Sequence, residues 1–289
     1  MNYTFNKILF FILLLTLSSN GLISSATVVK IPFVKSDGLM LIKANVDGDD
    51  GYLIFDTGAD ALILNRRADH DAVTFNTVSG TTSMSEHKVE ALSIGQFSFV
   101  DIDAYSQDLS QLEREPNIKL LGIIGAQLFS SELLHIDNER NVIQVLPRYN
   151  LSQLNSDQYI SADMRLVDDI IVVPITLSGQ SLNFILDSGA TTSFVDRSVS
   201  EIYGDLFEDT SKQSNILTAS STGASCDIVK VSKVKISKLS ILDLELAVTD
   251  LSKFSDELGI KIDGILSLDQ LPIDDVLIDY SASKIYIAL

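Results

Sequence analysis

The sequence contains no tryptophan, one cysteine, three histidines and five prolines in 289 residues. A single thiol, Cys226, excludes an internal disulfide, so packing must stabilise the fold. Nothing beside Cys226 in the sequence supplies a base, which makes a catalytic thiol a weak hypothesis. The histidines His70, His87 and His135 show no metal-ligand spacing, so we interpret them as ordinary surface or strand residues. We predict no metal site and no cofactor.

Basic residues are scarce as well. The chain has 21 lysines and arginines against 39 acidic residues, a formal net charge of -18. A surface this negative argues against nucleic acid or an anionic membrane as a partner. Of the acidic residues 29 are aspartate, a poor helix former and a common turn residue, which favours a turn-rich β protein.

No apolar run is long enough to span a membrane. The run from Ile8 to Leu17 has ten residues, whereas a spanning helix needs roughly 20. It follows Lys7 and precedes the small residues 24–26, the pattern of a secretory signal peptide, which we place at residues 1–26. A membrane anchor is the alternative. We expect an exported protein, periplasmic or secreted, with no stable membrane insertion after the signal is removed.

The chain repeats itself. At an offset of 131 residues Leu53-Ile54-Phe55-Asp56 falls on Phe184-Ile185-Leu186-Asp187. Further along the offset becomes 142, and Gly122 falls on Gly264. Such self-similarity over most of the chain indicates a duplicated unit.

The change of offset requires an 11-residue insertion (142 − 131) in the second half, between Asp196 and Val234. The stretch between the halves is polar and is interpreted as a linker. The predicted organisation is signal peptide 1–26, N-terminal lobe 27–147, linker 148–162 and C-terminal lobe 163–289.

Each half is predicted to consist of β-strands, because apolar and polar residues alternate with a period of two. The clearest runs are Val100–Ala104 and Leu242–Val248. The acidic segment Asp47–Gly51 is similar to a calcium loop, but it aligns with Ser178–Ser181 of the other half and lacks the closing glutamate. We interpret it as a hairpin turn.

Each half also carries Asp-(Thr/Ser)-Gly-Ala directly after three apolar residues, at Asp56–Ala59 and Asp187–Ala190. One copy is weak, since aspartate and glycine are turn residues. Two copies at equivalent places would bring two carboxylates together, and these would share one proton. The ionised carboxylate can then take a proton from water while the protonated one donates to a substrate carbonyl. This is amide hydrolysis without a covalent intermediate.

The neighbouring residues suit such a pair. Gly58 and Gly189 let the two loops approach where a Cβ would clash. Thr57 and Ser188 carry hydroxyls that can bond across to the opposite loop. We therefore predict Asp56 and Asp187 as catalytic residues and these four as their support.

Here the sequence resembles the aspartic proteases of the pepsin and retropepsin type. Leu121–Gly125 and Ile262–Leu266 match the apolar-apolar-Gly strand beside each catalytic loop of that family. Ile136–Val145 and Ile278–Ile287 match the closing hairpin of bacterial retropepsin-like proteins. The resemblance covers nearly the whole mature chain. It implies an all-β fold of two similar lobes, with the active-site cleft between them and one aspartate from each.

Some positions depart from the pepsin pattern. Ala59 and Ala190 stand where pepsin-like enzymes carry a Ser or Thr that hydrogen-bonds a catalytic carboxylate, and Asp60 continues a retropepsin-like run. Losing that donor should raise the pKa values of the pair, so we expect a pH optimum less acidic than that of pepsin. Ser267 replaces the second glycine of the apolar-Gly strand, a change interpreted as structural.

The candidate substrate-binding residues are Asp60, Gly80 and Thr81, the last two at a hairpin tip placed near 79–82. The leading hypothesis is an aspartic endopeptidase that binds a peptide or protein substrate in an extended conformation. The alternative is a catalytically silent peptide-binding or inhibitor-like protein on the same fold. Because both halves lie in one chain, we expect a monomer rather than a lobe that needs a second copy.

Overall fold

A computed structural model describes residues 28–69, 72–77, 80–113, 117–147, 158–218 and 221–288. The predicted signal peptide, most of the predicted linker and Ser79 lie outside these residues. Strands dominate the described part, which confirms the predicted all-β class. Its two α-helices, α1 (Arg197–Ile202) and α2 (Ser252–Leu258), are short. No helix in the described ranges is long and apolar enough to cross a membrane.

The N-terminal lobe is built from one strongly curved sheet of eight strands in the order β1-β2-β3-β8-β4-β7-β6-β5, closed by a further pairing of β2 with β6. Its strands are β1 (Val29–Ser36), β2 (Leu39–Val46), β3 (Asp49–Asp56), β4 (Leu62–Asn65), β5 (Val73–Thr77), β6 (Gly80–Ile94), β7 (Phe97–Gln107) and β8 (Leu120–Gly125).

The C-terminal lobe repeats this order strand for strand, as β12-β13-β14-β19-β15-β18-β17-β16, with β13 also paired to β17. Its strands are β12 (Arg165–Val167), β13 (Ile170–Leu177), β14 (Gln180–Asp187), β15 (Phe194–Asp196), β16 (Phe207–Thr218), β17 (Ser221–Ile236), β18 (Leu239–Thr249) and β19 (Gly264–Ser267). The identical topology confirms the two similar lobes predicted from the internal repeat.

A third sheet joins the lobes. Its order is β11-β21-β20-β9-β10-β1, and the antiparallel pair β9–β20 carries the hydrogen bonds from one lobe to the other. His135 lies opposite Leu277 at the centre of that pair, and these two residues correspond at the repeat offset of 142. The remaining strands are β9 (Leu133–Asp137), β10 (Val142–Leu146), β11 (Tyr159–Asp163), β20 (Asp275–Asp279) and β21 (Lys284–Ala288).

The end of the predicted linker is a strand. The sequence prediction placed 148–162 between the lobes, whereas Tyr159–Asp163 form β11 and pair with β21. The reason is an alternation of buried and exposed side chains, which the polar composition of the stretch did not indicate: Ile160 and Ala162 are buried while Ser161 points to solvent. The exact residue boundaries of the lobes stay a prediction.

The predicted period of two fails at one point in each lobe. Val100 and Leu242, predicted to face the core, are 72% and 63% exposed. The next residues, Asp101 and Asp243, have φ angles of 56° and 52°. A residue with left-handed backbone interrupts the regular alternation of the strand. The side chain before it therefore points to solvent, and the alternation of buried and exposed residues begins again after it.

Two hairpins lie where the sequence predicted a turn and an insertion. The acidic segment forms the β2–β3 hairpin, with Asp47 and Gly48 at φ 51° and 88°, as expected for its turn. The 11-residue insertion falls mainly in the hairpin β16–β17, because β16 has 12 residues and its counterpart β5 has five.

The path of β8 positions the first active-site loop. This strand runs parallel to β3 and antiparallel to β4, with Asp56 opposite Gly125. At Gly122 (φ 156°) a Cβ would lie 2.0 Å from the Ile63 carbonyl oxygen. Only glycine lets the backbones of β8 and β4 approach this closely.

We predict that Gly122→Ala lowers the free energy of unfolding by roughly 2–4 kcal/mol, since overpacking and an unfavourable φ add. Gly48→Ala is the matched control, because its φ is also positive but its Cβ would meet nothing within 4 Å. That control should lose only about 1–2 kcal/mol. Urea unfolding of both variants measures the difference, and equal losses would contradict the packing argument.

Candidate active site

The two strands that carry the predicted catalytic aspartates end side by side. Asp56 is the last residue of β3 and Asp187 the last residue of β14. The apolar residues before them are buried, with Phe55 0% and Leu186 1% exposed. Each strand end is therefore anchored in the core of its own lobe, while the following loop reaches the other lobe.

Four hydrogen bonds join the two loops across the lobe boundary. The Thr57 N–H donates to Ser188 Oγ and the Ser188 N–H donates to Thr57 Oγ1, both at 3.0 Å. The Thr57 hydroxyl donates to the Leu186 carbonyl at 2.7 Å, and the Ser188 hydroxyl donates to the Phe55 carbonyl at 2.9 Å. Both hydroxyl residues are 1% exposed. The bonds are reciprocal, so the two loops are held in one symmetric arrangement.

The glycines of the motif lie against the opposite carboxyl group. A Cβ on Gly58 would lie 2.8 Å from Asp187 Cγ, and a Cβ on Gly189 would lie 2.3 Å from Asp56 Cγ. Any side chain at either position would push the carboxyl groups apart. The sequence motif thus places each aspartate over the glycine of the other lobe.

Backbone amides surround the carboxyl pair. Asp187 Oδ1 accepts hydrogen bonds from the N–H groups of Gly189 (2.7 Å) and Ala190 (2.9 Å). Asp56 Oδ1 accepts one from the Gly58 N–H at 2.7 Å. These donors favour the charged forms.

Burial has the opposite and larger effect. It raises the pKa of both Asp56 and Asp187 above their ordinary values, although each residue keeps part of its surface exposed. The Asp56 charge raises the pKa of Asp187 further, and the two side chains are hydrogen-bonded to each other. The pair therefore holds one proton between its carboxyl groups over a range of pH in which isolated aspartates are ionised.

The candidate substrate-binding residue Asp60 lies in the loop after the first motif. It is among the exposed residues, yet enough protein surrounds its carboxyl for desolvation to raise its pKa. The charges of Asp168, Asp169 and Glu257, all from the C-terminal lobe, act in the same direction. This end of the lobe junction is therefore strongly acidic.

The other two candidates, Gly80 and Thr81, begin strand β6 directly after the hairpin tip. Strand β5 of this hairpin lies close to α2 of the C-terminal lobe. Its counterpart β16 lies close to the 3-10 turn Ser110–Leu112 of the N-terminal lobe, and β6 and β17 lie close to each other. The two hairpins thus reach across the lobe boundary from both sides. A role for Gly80 and Thr81 in substrate binding stays a prediction.

The alanines of the two motifs bring no hydroxyl to the carboxylates. Ser267, whose replacement of a glycine the sequence suggested was only structural, contacts the catalytic loop. It lies opposite Asp187 on the parallel strand β19, is fully buried and is hydrogen-bonded to the Asp187 loop. Its alignment with Gly125 was the available signal, because a glycine replaced in only one copy marks a local difference between the lobes.

One group of side chains in the described ranges has metal-ligand spacing, namely His135, Asp137 and Asp275. Histidine Nε2 lies 2.7 Å from Asp275 Oδ1, and Asp137 accepts two hydrogen bonds from Arg140. The group lies on the sheet that joins the lobes. Its carboxylates already have partners, since Asp137 bonds the Arg140 guanidinium and Asp275 bonds the His135 imidazole.

Comparison with known proteins agrees with the two-lobed fold. Residues 173–270, most of the C-terminal lobe, match the model of a family described as aspartyl protease. Among solved structures the chain is similar to an aspartic proteinase from Irpex lacteus, with 13% identity, a TM-score of 0.55, and coverage of 91% of this chain and 97% of that one. It is also similar to conglutin gamma, a basic 7S globulin from lupine seeds, with 11% identity, a TM-score of 0.52, and coverage of 91% and 95%. Among curated protein sequences none matches.

These similarities confirm the resemblance inferred from the motifs. The chain has the two-lobed fold of the pepsin- and retropepsin-like aspartic proteases.

The raised pKa values predict how stability depends on pH. A carboxyl whose pKa is raised by folding stabilises the fold fully only below its unfolded value of 3.8, and that stability is lost as the pH rises through the folded value. We expect Asp187→Asn to be more stable than the wild type at pH 7, and the gap to close as the pH falls below 4. Urea unfolding at several pH values measures this. Asp101→Asn, an exposed site, controls for net charge, and a less stable Asp187→Asn at pH 7 would contradict the argument.

Proposed function

We propose that this chain, which has the aspartic protease fold, is an aspartic endopeptidase. The observation that carries the proposal is the Asp56/Asp187 pair, placed by reciprocal hydrogen bonds and by a glycine under each carboxyl. The fold alone would not assign a hydrolytic function, so the argument depends on this pair.

The mechanism follows from the shared proton. A water bound between the carboxyl groups can lose a proton to the ionised aspartate while its oxygen attacks the peptide carbonyl carbon. The protonated aspartate donates its proton to the carbonyl oxygen. Collapse of the tetrahedral intermediate then breaks the C–N bond: the leaving nitrogen takes the proton that the first aspartate received from water, and a hydroxyl of the intermediate returns a proton to the second aspartate. Because the pKa of both groups is raised by burial, the required singly protonated state persists toward weakly acidic pH.

An extended peptide is the substrate shape that fits this arrangement best. Hairpins β5–β6 and β16–β17 reach across the lobe boundary from opposite sides, and a strand-like peptide can hydrogen-bond to such edges. Asp60 is proposed to bind the substrate near one end of the cleft, with Gly80 and Thr81 contributing from the hairpin.

We further propose that the enzyme is exported. We also propose that it acts as a monomer, since one chain supplies both catalytic aspartates.

The alternative is a peptide-binding protein without turnover. A specific observation supports this alternative: a seed globulin is nearly as similar in fold to this chain as a proteinase is, with TM-scores of 0.52 and 0.55. Fold therefore does not separate the two functions, and the site must do so. Both aspartates, both glycines and both hydroxyl residues are present, which favours the enzyme.

Activity is tested with a denatured protein as substrate between pH 3 and pH 7. Asp56→Asn and Asp187→Asn should each lower kcat by at least about 10²-fold, because each removes one partner of the acid-base pair. Asp101→Asn serves as the matched control and should cleave like the wild type. Cleavage by either dyad variant at the wild-type rate would overturn the assignment. Peptide binding without cleavage by the wild type would favour the alternative.

The pH dependence tests the role of the alanines. Ala59 and Ala190 offer no hydroxyl to the carboxylates, so the charged forms lack one stabilising donor and the pKa values of the pair lie higher than in pepsin-like sites. We predict a pH–rate profile that peaks at a pH clearly above that of pepsin. Ala190→Ser should move the acid limb to lower pH. A wild-type profile that peaks near pH 2 would contradict the prediction.

A further inference from the structure

The two active-site loops are supported differently. In the N-terminal lobe the strand beside the loop ends in Gly125, and in the C-terminal lobe the equivalent strand ends in Ser267. Each lies opposite its catalytic aspartate, Gly125 beside Asp56 and Ser267 beside Asp187. The residues correspond at the offset of 142, so the comparison is between the same position in two copies.

The N-terminal lobe has no room for a side chain here. A Cβ on Gly125 would lie 2.4 Å from the Ala59 carbonyl oxygen and 2.0 Å from Gln127 Oε1. The Gln127 side chain could move, but the Ala59 backbone belongs to the catalytic loop. In the C-terminal lobe this close contact has become a hydrogen bond: the Ser267 hydroxyl donates to the Ala190 carbonyl at 2.6 Å.

The backbone of Ser267 makes a second link to the same loop. Its N–H donates to Ser193 Oγ at 3.0 Å, and the Ser193 N–H donates to Gln270 Oε1 at 2.6 Å. Ser267 and Ser193 are both 0% exposed. In the N-terminal lobe the corresponding Gly125 N–H donates to the Ala61 carbonyl at 3.2 Å, a backbone contact. The second loop is therefore held by side-chain hydrogen bonds at two places, Ala190 and Ser193.

Ala190 transmits this support to the catalytic group. Its carbonyl accepts the Ser267 hydroxyl, and its N–H donates to Asp187 Oδ1 at 2.9 Å. Both backbone polar groups of Ala190 are thus hydrogen-bonded, and the bond from Ser267 limits how far the Ala190 N–H can move from the carboxylate. Hydrogen bonds to a charged carboxylate lower its pKa, so a fixed donor also fixes how readily Asp187 ionises.

We propose that Ser267 is a positioning residue for catalysis: its hydroxyl holds Ala190 so that the Ala190 amide stays on the Asp187 carboxylate. This rests on the proposed endopeptidase function. It makes the two aspartates inequivalent, since the N-terminal lobe has no hydroxyl at this place.

The test compares Ser267→Ala with Ser281→Ala. Ser281 is the matched control, because its hydroxyl donates a 2.6 Å hydrogen bond to Asp279 in the turn after β20, outside the catalytic loops. We expect Ser267→Ala to lower kcat by roughly ten- to a hundred-fold, as expected for a slightly misplaced catalytic group, with KM within about two-fold. The acid limb of its pH–rate profile should move to higher pH, because Asp187 loses a well-placed donor. Ser281→Ala should keep both kcat and the profile.

The outcomes separate positioning from stability alone. If the two variants lose similar stability in urea and Ser267→Ala keeps its kcat and pH profile, the hydroxyl is merely structural and the proposal is overturned. Ser267→Gly guards against a folding failure, since glycine is what the other lobe carries there. If both Ser267 variants fail to fold at 25 °C, Ser267 is a folding requirement and the proposal is again overturned.

A second measurement does not depend on activity. The ¹³C signal of the Asp187 carboxyl, assigned with Asp187→Asn, can be titrated in the wild type and in Ser267→Ala. The proposal expects the midpoint at higher pH in Ser267→Ala, and an unchanged midpoint would overturn it. If the wild type cleaves no peptide but the Asp187 midpoint still lies at higher pH in Ser267→Ala than in the wild type, the endopeptidase function is refuted. The link between Ser267 and Asp187 is then still supported.

Discussion

The exchange of hydroxyls between Thr57 and Ser188 is the interaction on which the site depends. Each hydroxyl accepts a hydrogen bond from a backbone N–H of the opposite loop. It also donates one to a backbone carbonyl at the end of the strand that leads into that loop. Neither lobe can complete these bonds alone, so the site exists only when the lobes are joined. The sheet that links β9 to β20 brings the lobes together, and the hydroxyl bonds then set the separation of the two aspartates.

Much of this could be predicted from the sequence, because duplication turns a weak motif into a geometric constraint. The repeat offsets predicted two similar lobes, and the identical strand orders follow from them. Position within the repeat also predicted which loops meet. What the alternation of residues could not show was a left-handed aspartate at positions 101 and 243, since backbone conformation at a single aspartate leaves no periodic signal. Nor did the polar composition of 148–162 reveal strand β11.

The difference between the lobes was the hardest feature to predict. A glycine in one copy and a serine in the other look like neutral drift at a structural position. Only the contacts show the difference: Gly125 has no room for a Cβ beside Ala59, whereas at the same position of the other lobe the Ser267 hydroxyl is bonded to Ala190. Sequence symmetry therefore predicts where the groups lie but not how evenly they are supported, because hydrogen-bond geometry at this scale depends on displacements of less than 1 Å.

The energetics of the pair bear on function more directly than the fold does. Two carboxyl groups in contact, both with pKa values raised by burial, cost stability at neutral pH. A protein that needed only the fold would be more stable with an uncharged residue at either position. Local features that lower stability persist where function depends on them. The intact pair, together with the glycines and hydroxyls that hold it, therefore supports the proposed catalytic function over peptide binding alone.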